Sequence, residues 1–245
     1  MKPTKEYNGR SRIRMFNCDC MDLMKTGTWD LAIVDPPYGI GDRIKGTWGK
    51  ETGMNEATKW DYAPDEYYFK LLFERSENQI IWGANYFIEH LNSSMGVICW
   101  DKMNGTNNLS DFEFCWTSFN DKTARMFRMH HFSDGYDKKI HPTQKPSKLY
   151  RWLLKNYGPE CNTCKSEGSY YEDVAGDGGS KMLMHCDICD GSGRGTILDT
   201  HGGSLSIAIA CWDLGFDLDV CELDTDYFND AVKRFESHIA QTQLF

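Results

Sequence analysis

A short apolar run that ends in an acid and two prolines is the feature that most constrains this chain. The run Trp29–Val34 is followed at once by Asp35, Pro36, Pro37 and Tyr38. A run of this length predicts a buried strand, and the prolines end it because proline cannot donate to a central sheet ladder. The end of the strand would present a carboxylate, rigid carbonyls without competing N–H groups and a flat aromatic ring. These groups suit a planar amine.

The chemistry of an exocyclic amine on a nucleobase explains why these residue types would occur together. Its nitrogen is a poor nucleophile because the lone pair is delocalised into the ring, so a catalyst must hold both N–H bonds with acceptors. Asp35 and the Pro36 carbonyl could accept them. Tyr38 could stack on the base, which is worth roughly 1–3 kcal/mol per base and helps to retain a nucleotide turned out of its duplex. Taken alone, the motif could equally be a rigid turn after a strand.

A glycine-containing loop follows a second apolar run, which begins near Thr196. The loop reads Asp199, Thr200, His201, Gly202, Gly203 and Ser204. A helical pattern over residues 205–214 follows it, and Gly215 ends that pattern. Glycines at a strand-to-helix turn allow close approach of a ligand, and the helix N-terminus supplies free N–H groups. A loop of this kind is typical of nucleotide-like cofactor sites, although an ordinary βαβ turn gives the same pattern.

Glu222 lies just after the end of the next predicted strand, residues 216–220. It lies 23 residues after Asp199. In dinucleotide-binding folds an acid about 20 residues after the loop meets the ribose hydroxyls. Glu222 is therefore a candidate for that contact, and the alternative is a surface acid.

A third motif, His141-Pro142-Thr143-Gln144-Lys145-Pro146, completes the pattern. The three motifs together resemble the amino-methyltransferases that act on DNA, the N6-adenine and N4-cytosine family that uses S-adenosylmethionine. The resemblance covers most of the chain outside residues 159–195. The catalytic motif comes first and the cofactor glycines come last, an order that resembles the circularly permuted, beta-type branch.

The resemblance implies a fold and an acceptor. The fold would be α/β and Rossmann-like, with a mostly parallel twisted sheet flanked by helices, and both loops would lie at the carboxyl ends of adjacent strands. An Asp in the first position of the catalytic motif is the family's sign of adenine, where cytosine enzymes usually carry Ser. We therefore expect a DNA adenine-N6 methyltransferase. Cytosine N4 and an RNA base are the alternatives among enzymes.

The resemblance also implies a role for each motif residue. The catalytic residues would be Asp35, Pro36, Pro37 and Tyr38. The cofactor residues would be Asp19, Thr143, Lys145, Asp199, His201, Gly202, Gly203, Ser204 and Glu222. Thr143 and Lys145 would meet the carboxylate end of the cofactor, with Lys145 as its counter-charge. Asp19 would lie near the cofactor's adenine, although Asp also caps helices readily.

One position departs from the family pattern. Ser204 is followed by Leu205, where family members commonly carry a further glycine. A Cβ at a tight approach would lower cofactor affinity. A DNA-binding relative with impaired catalysis therefore stays open as an alternative to an active enzyme.

Four of the ten cysteines form a separate motif, Cys161-x2-Cys164-x21-Cys186-x2-Cys189. Each Cys-x2-Cys hook can place two thiolates on one ion, and two hooks close a structural Zn²⁺ site. A redox dithiol is the alternative, but two pairs favour zinc. The second hook resembles the Cys-x-x-Cys-x-Gly-x-Gly units of J-domain co-chaperones, which implies a zinc-ribbon-like knuckle.

The cysteine motif interrupts the methyltransferase pattern and divides the chain. Residues 1–158 would form the catalytic half of one methyltransferase domain and residues 196–245 its cofactor half. Residues 159–195 would be a zinc-binding insertion. Such an insertion could clamp DNA or only stabilise a loop, and its few basic residues favour the second role at least as much as the first.

The net charge of −9 conflicts with phosphate binding until its distribution is considered. Residues 121–155 hold nine basic and three acidic residues, whereas residues 160–245 hold five basic and sixteen acidic ones. We therefore expect one face turned towards DNA, which we take to be double-stranded. No stretch approaches the ~20 apolar residues of a membrane span, and residues 1–5 lead into no apolar segment of a signal peptide. We expect a cytoplasmic protein with no membrane partner, in an oligomeric state left open.

The remaining pattern predicts individual elements. A helix is expected over residues 65–76, strands over 79–83, 96–100 and 112–118, and a helix over 147–157 with Ser147 as its cap and Gly158 as its stop. Residues 39–63 show little periodicity, and we expect a long functional loop there.

Overall fold

The computed structural model describes residues 1–40, 61–105, 110–130, 140–141, 143–165, 167–173, 180–187, 189 and 191–242. The strands in this part of the chain are β1 Lys5–Asn8, β2 Arg12–Phe16, β3 Trp29–Val34, β4 Ser76–Trp82, β5 Val97–Asp101, β6 Phe112–Thr117, β7 Arg125–Arg128, β8 Ser169–Asp173, β9 Lys181–His185, β10 Thr196–Asp199 and β11 Asp217–Cys221. The helices are α1 Cys20–Met24, α2 Glu66–Arg75, α3 Ser147–Tyr157, α4 Ser206–Leu214 and α5 Thr225–Thr242.

Nine of these strands form one sheet in the order β1-β2-β11-β10-β3-β4-β6-β5-β7. Strands β2, β11, β10, β3 and β4 are parallel neighbours, and β6 runs antiparallel to both β4 and β5. The pairing of β10 with β3 aligns Ile197 with Leu31 and Leu198 with Ala32. The α/β fold with a mostly parallel sheet is therefore confirmed, and two segments distant in sequence form adjacent strands.

The core has two layers, one on each face of the sheet. Leu31 and Ile33 of β3 pack in one layer with residues of α3, α4 and α5, whereas Ala32 and Val34 pack in the other with residues of α1 and α2. Successive side chains of a strand point to opposite faces, so a strand covered on both faces must be apolar throughout. This requirement explains why β3 reads as an uninterrupted apolar run.

The helix boundaries follow from local chemistry. Asp65 precedes α2 and its side chain accepts the Tyr68 N–H at 3.1 Å, and Gly215 ends α4 with a left-handed φ of 79°. The expectation that Ser147 caps α3 was wrong. Pro146 occupies the cap position, and Ser147 is already helical with its hydroxyl accepting a hydrogen bond from Arg151.

Strands β8 and β9 form a separate two-stranded sheet, which lies within residues 159–195. The two ends of this segment meet where Gly195 donates its N–H to the Pro159 carbonyl at 3.0 Å. Asn162 and Thr196 both bond to Asp30, the second residue of β3. The segment therefore joins the main sheet at the amino ends of β3 and β10. Among the described residues, no helix has the length and apolarity needed to cross a bilayer.

Candidate functional site

The predicted site residues meet at the carboxyl ends of the parallel strands, on the side of the sheet opposite to the cysteine segment. Asp35 follows β3, Asp19 lies shortly after β2, Glu222 follows β11, and the glycine loop follows β10. Carboxyl ends of adjacent parallel strands converge at one edge, which is the usual ligand position in α/β sheets. A cavity of about 1380 Å³ opens there. Its lining includes the predicted residues Asp19, Asp35, Pro36, Pro37, Tyr38, Thr143, Lys145, His201, Gly202, Gly203, Ser204 and Glu222.

Asp35 is held from two sides. The Tyr38 hydroxyl donates to its Oδ1 at 2.7 Å, and Lys145 Nζ donates to its Oδ2. Burial raises the pKa of Asp35 above its ordinary value, the ion pair with Lys145 opposes that rise, and nearby Glu113 adds to it. Each carboxylate oxygen still has a second lone pair, so Asp35 can accept a further hydrogen bond from a ligand.

Tyr38 is positioned by aromatic packing and by a glycine. Its ring stacks on Tyr86 with centroids 4.8 Å apart and an interplanar angle of 17°. Gly83 has a left-handed φ of 68°, and a Cβ at that position would collide with the Tyr38 ring. Tyr86 itself is 41% exposed and lines the cavity, so the sequence interpretation missed an aromatic residue of this site.

Asp61 anchors the chain just after the catalytic motif and was also missed. Its two carboxylate oxygens accept the N–H groups of Gly39 and Ile40 at 2.9 and 2.7 Å. The predicted long loop, residues 39–63, falls mostly outside the described residues. A single acid in a segment without periodicity gives no signal from which this contact could be foreseen.

Lys145 lies between two carboxylates. Its side chain is only 3% exposed, and its Nζ contacts Asp35 and, at 3.1 Å, Glu113 Oε2. Glu113 Oε1 in turn pairs with Lys102 at 2.7 Å. Burial lowers the pKa of Lys145, but the two carboxylates outweigh burial and hold it above its ordinary value. The role expected for Lys145 at the cofactor's carboxylate stays a prediction, because its partners here are Asp35 and Glu113.

The glycine loop and Glu222 are hydrogen-bonded to each other. Glu222 Oε2 accepts the Gly203 N–H at 2.8 Å and its Oε1 accepts the Asp224 N–H at 2.9 Å. Gly202 packs so tightly that a Cβ would lie 2.6 Å from the Val220 side chain. Burial raises the pKa of Glu222, and these N–H donors oppose the rise. Glu222 thus supports the loop and still lines the cavity.

Leu205, the departure from the family pattern, adopts a conformation that favours glycine. Its φ and ψ are 54° and 32°, in the left-handed region. The side chain is 1% exposed and packs in the core layer with α4 and α5, away from the cavity. Arg234 of α5 donates to the carbonyl of Ser204 at 2.6 Å and supports the same turn. The Leu205 Cβ therefore strains the backbone without narrowing the cavity.

Asp199 and His201 lie at the base of the loop. Asp199 is 2% exposed and does not line the cavity, and its Oδ1 accepts the His201 N–H at 3.0 Å. Burial raises the pKa of Asp199 to about 7, against the effect of that N–H, and lowers the pKa of His201 to about 4. The His201 ring bonds to the Thr200 hydroxyl at 2.9 Å, which bonds to the buried Tyr68 hydroxyl at 2.7 Å. Tyr68 is a further residue of the site that the sequence interpretation missed.

Asp19 and Thr143 have local partners as well as access to the cavity. Asp19 is exposed and caps α1 by accepting the Met21 N–H at 2.8 Å. Thr143 contacts His141 Nδ1 through its hydroxyl at 3.0 Å. Burial, together with nearby Lys145, lowers the pKa of His141 to about 4, so its ring is neutral at pH 7. The capping interpretation of Asp19 is thus seen in the structure, and its cofactor role stays a prediction.

The four motif cysteines form one buried cluster. All four Sγ atoms lie within 4.8 Å of one another. Cys161 and Cys186 are separated by 3.7 Å, and Cys164 and Cys189 by 3.6 Å. A tetrahedral ion about 2.3 Å from each sulfur would separate the sulfurs by about 3.8 Å, so the donor set and the spacing fit Zn²⁺. Gly193 donates its N–H to Cys189 Sγ at 3.3 Å, an interaction that suits a thiolate ligand.

The basic segment is described only in part, because residues 131–139 lie outside the described residues. Arg125 and Arg128 occupy β7, the strand at the far edge of the sheet. Arg128 pairs with Asp101 at 3.2 Å, and Lys122 lies over the Phe119 ring. The expected DNA-facing surface stays a prediction.

Comparison with solved structures finds this fold elsewhere at low identity. The M1.HpyAVI–SAM complex is 17% identical over 91% of this chain and 99% of that chain, with a TM-score of 0.51. The PvuII DNA methyltransferase (cytosine-N4-specific) is 12% identical over 91% of this chain and 86% of that chain, with a TM-score of 0.53. TTHA0409 from Thermus thermophilus is 13% identical over 92% of this chain and 95% of that chain, with a TM-score of 0.50. No protein-family model and no curated protein matches the chain.

Proposed function

We propose that this chain transfers a methyl group from S-adenosylmethionine to the N6 amine of adenine in double-stranded DNA. One observation carries the proposal. The loop from Asp35 to Tyr38 and the glycine loop end two adjacent parallel strands and line the same cavity. An acceptor-rich site for an amine thus adjoins a loop that suits a nucleotide-like methyl donor.

The cavity has room for two ligands and a surface for each. Its volume of about 1380 Å³ exceeds the roughly 300–1,000 Å³ of ordinary small-molecule pockets. The comparisons support this proposal, because one neighbour is a complex with SAM and another is described as a cytosine-N4-specific DNA methyltransferase. The second description keeps cytosine N4 as the alternative acceptor, whereas the Asp in the catalytic motif favours adenine.

The residues of the glycine loop fit the methyl donor. A Cβ on Gly203 would extend towards His141, 3.7 Å from its ring, so the missing side chain leaves space along the cavity wall. Glu222 would accept the ribose hydroxyls with its remaining lone pairs, and Asp19 would lie near the adenine. S-adenosylmethionine would supply a methyl group that is already activated on a sulfonium sulfur.

The residues of the catalytic motif would bind and orient the acceptor. Asp35 and the Pro36 carbonyl would accept the two N–H bonds of the amine and favour a pyramidal nitrogen. Tyr38, already parallel to Tyr86, would stack on the base. Most of the rate would come from positioning, and no strong general base is needed because the proton can leave after the methyl group has moved.

For the cysteine cluster we infer a structural Zn²⁺ that stabilises residues 159–195 as an insertion between a catalytic half, 1–158, and a cofactor half, 196–245. The cluster joins the sheet beside Asp30, whereas the cavity begins at Asp35. Asp30 and Asp35 are five strand residues apart. At about 3.3 Å for each residue, roughly 16 Å separates the attachment of the cysteine segment from the cavity. This distance favours stabilisation of the fold over a DNA clamp.

Methyl transfer to defined oligonucleotides tests the proposed function. Duplexes built only of A·T pairs, which contain no cytosine on either strand, and duplexes built only of G·C pairs, which contain no adenine, are incubated with the chain and radiolabelled S-adenosylmethionine. Label in the adenine duplexes alone is the expected result. Label in the cytosine duplexes alone would replace adenine by the alternative acceptor. Binding of DNA without cofactor binding in calorimetry would instead support a relative that has lost turnover.

A further inference from the structure

The acceptor side of the cavity contains a line of alternating charges that the three motifs do not predict. It runs Asp35, Lys145, Glu113, Lys102. Strand β6 is antiparallel to β4, so its early residue Glu113 lies at the same edge as the carboxyl ends of β3 and β4. Lys102 follows β5, whose carboxyl end reaches that edge because β5 is antiparallel to β6.

The positive charge that develops on the amine during the proposed reaction would be affected by these four charged side chains. The amine nitrogen uses its lone pair to form the N–C bond, the C–S bond breaks, and its electron pair stays on sulfur. The amine becomes cationic and then releases one N–H proton to water. A carboxylate at Asp35 favours the developing cation, whereas an uncompensated ammonium at Lys145 opposes it. This opposition is strong in a water-poor site, where charges are weakly screened.

Glu113 lies where its carboxylate can neutralise the ammonium charge of Lys145. Lys145 Nζ contacts Asp35 on one side and Glu113 Oε2 at 3.1 Å on the other, and its side chain is 3% exposed. Solvent therefore screens this ammonium little, and the contacts that counter its charge are the two carboxylates. The Trp82 ring, 5.4 Å away, covers a further side of it.

We propose that Glu113 is a positioning residue of the methyl-transfer site, which shares Lys145 with Asp35 and so offsets the ammonium charge that the amine would otherwise face. The inference rests on the proposed function and extends it to a residue outside the three motifs. Glu113 acts through Lys145 and Asp35 and needs no contact with the acceptor base.

Glu113→Gln tests this role because it removes one charge with little change of shape. We expect single-turnover methyl transfer to fall about 10-fold or more, which is below the roughly 10²–10³-fold typical of groups that touch the transition state. Affinities for DNA and for S-adenosylmethionine should stay within about threefold, since the proposed role gives Glu113, a residue of the cavity wall, no contact with either ligand. Glu113→Asp keeps the charge and should recover part of the rate.

A pH profile separates this role from simple structural damage. The negative charge of Glu113 contributes to raising the pKa of Asp35, so its removal should move the acid limb of the rate profile to lower pH. In the described part of the chain, the other titratable groups that interact electrostatically with Asp35 include Tyr38, Cys115, Lys145, Tyr150 and Asp199. Glu113 raises the pKa values of Tyr38, Cys115, Lys145 and Tyr150, all of which stay protonated in the acid limb, so the direction of the shift there reports on Asp35.

Asp213→Asn is the matched control. Asp213 is an ion-paired carboxylate with an exposure of 18%, close to the 23% of Glu113, and it does not line the cavity. Asp213→Asn should leave the rate of methyl transfer and the acid limb of its pH profile unchanged. Two results for Glu113→Gln would overturn this inference and leave the proposed function intact, provided that the unaltered chain transfers methyl groups. They are an unaltered rate and an acid limb that moves to higher pH. If Glu113→Gln does not fold, a folded Glu113→Asp whose methyl transfer falls about 10-fold or more overturns the inference, because that variant keeps the charge. No methyl transfer by the unaltered chain would overturn the proposed function and this inference together.

Discussion

Strands β3 and β10 lie side by side, and polar residues flank both ends of the pair. At the carboxyl end, Asp35 and Asp199 are carboxylates whose pKa values burial raises. At the amino end, Asp30 accepts hydrogen bonds from the Thr196 N–H at 2.6 Å, the Thr196 hydroxyl at 2.9 Å and Asn162 at 3.2 Å. The four-cysteine cluster lies beyond it.

The two ends of this strand pair differ in how well their polar groups are satisfied. Carboxylates kept in an unfavourable environment are typical of sites that bind or react, whereas satisfied polar groups and metal-binding thiols stabilise a fold. The carboxyl end would therefore lose function when altered, and the amino end would lose stability. Substitutions at each end test that division.

The largest effect is expected at Asp35. Asp35→Ala should lower single-turnover methyl transfer by about 10³-fold, because it removes the acceptor that would hold the amine. Affinity for S-adenosylmethionine should change little, since Asp35 belongs to the acceptor side. Rapid-quench assays and calorimetry measure the two quantities. A rate within about tenfold of the unaltered chain would break the assignment of the carboxyl end.

Loss of the proposed Zn²⁺ should be the largest effect at the amino end. Cys186→Ser removes one of the four proposed ligands. The pair Cys161 and Cys186 is 25 residues apart, and closure of such a loop through a shared ion is worth about 3.5 kcal/mol. Urea denaturation should show that loss, and elemental analysis should show the loss of one zinc per chain. Cys99→Ser, a half-buried thiol outside the cluster, is the control.

Cys186→Ser also tests whether the cysteine cluster contributes to DNA binding. Below its unfolding transition, Cys186→Ser should bind DNA as tightly as the unaltered chain. A large loss of DNA affinity in folded protein would favour the DNA clamp and contradict the structural role of the cluster.

Asp199 should make stability depend on pH. Its folded pKa of about 7 lies above the ordinary value of about 3.9, so the folded state binds the proton more tightly. Its contribution is fully present below pH about 4 and is lost as the pH rises through about 7. Asp199→Asn should therefore be more stable than the unaltered chain at about pH 8 by about 4 kcal/mol, with little difference at about pH 4. Denaturant titrations at both pH values measure this gap, and an equal gap at both would contradict the burial argument.

The smallest effect is expected at Lys165, an exposed residue within residues 159–195 with a left-handed φ of 50°. Lys165→Gly should raise stability by about 0.5–1 kcal/mol because glycine adopts this conformation without strain. Leu205→Gly is the matched case at the other end, with φ 54°. It should lower stability because a buried side chain is lost, and it should leave cofactor affinity unchanged. Weaker cofactor binding in Leu205→Gly would show that the side chain supports the cavity.

Much of the fold could be predicted because its central strands are buried on both faces. That condition forces the apolar runs of β3, β4 and β10 and makes them visible in the sequence. The edge strands β1 and β7 carry mixed side chains and gave no such signal. The cap of α3 was misassigned because Ser147 and Pro146 both suit a helix start, and only the backbone dihedrals distinguish them.

The candidate site could be predicted only where its residues belong to motifs. Asp35 and Glu222 stand at strand ends beside diagnostic neighbours, so their convergence follows from a parallel sheet. Asp61, Tyr68 and Glu113 are single residues whose importance arises from tertiary contacts. Glu113 in particular depends on β6 running antiparallel to β4, which periodicity does not reveal.

Sequencing that maps modified bases in DNA from cells producing this chain tests whether the chain methylates adenine through the site at Asp35. We expect N6-methyladenine in a defined sequence context with the unaltered chain and none above background with Asp35→Ala. Absence of any modified base with the unaltered chain, or the same modification pattern with Asp35→Ala, would contradict the account.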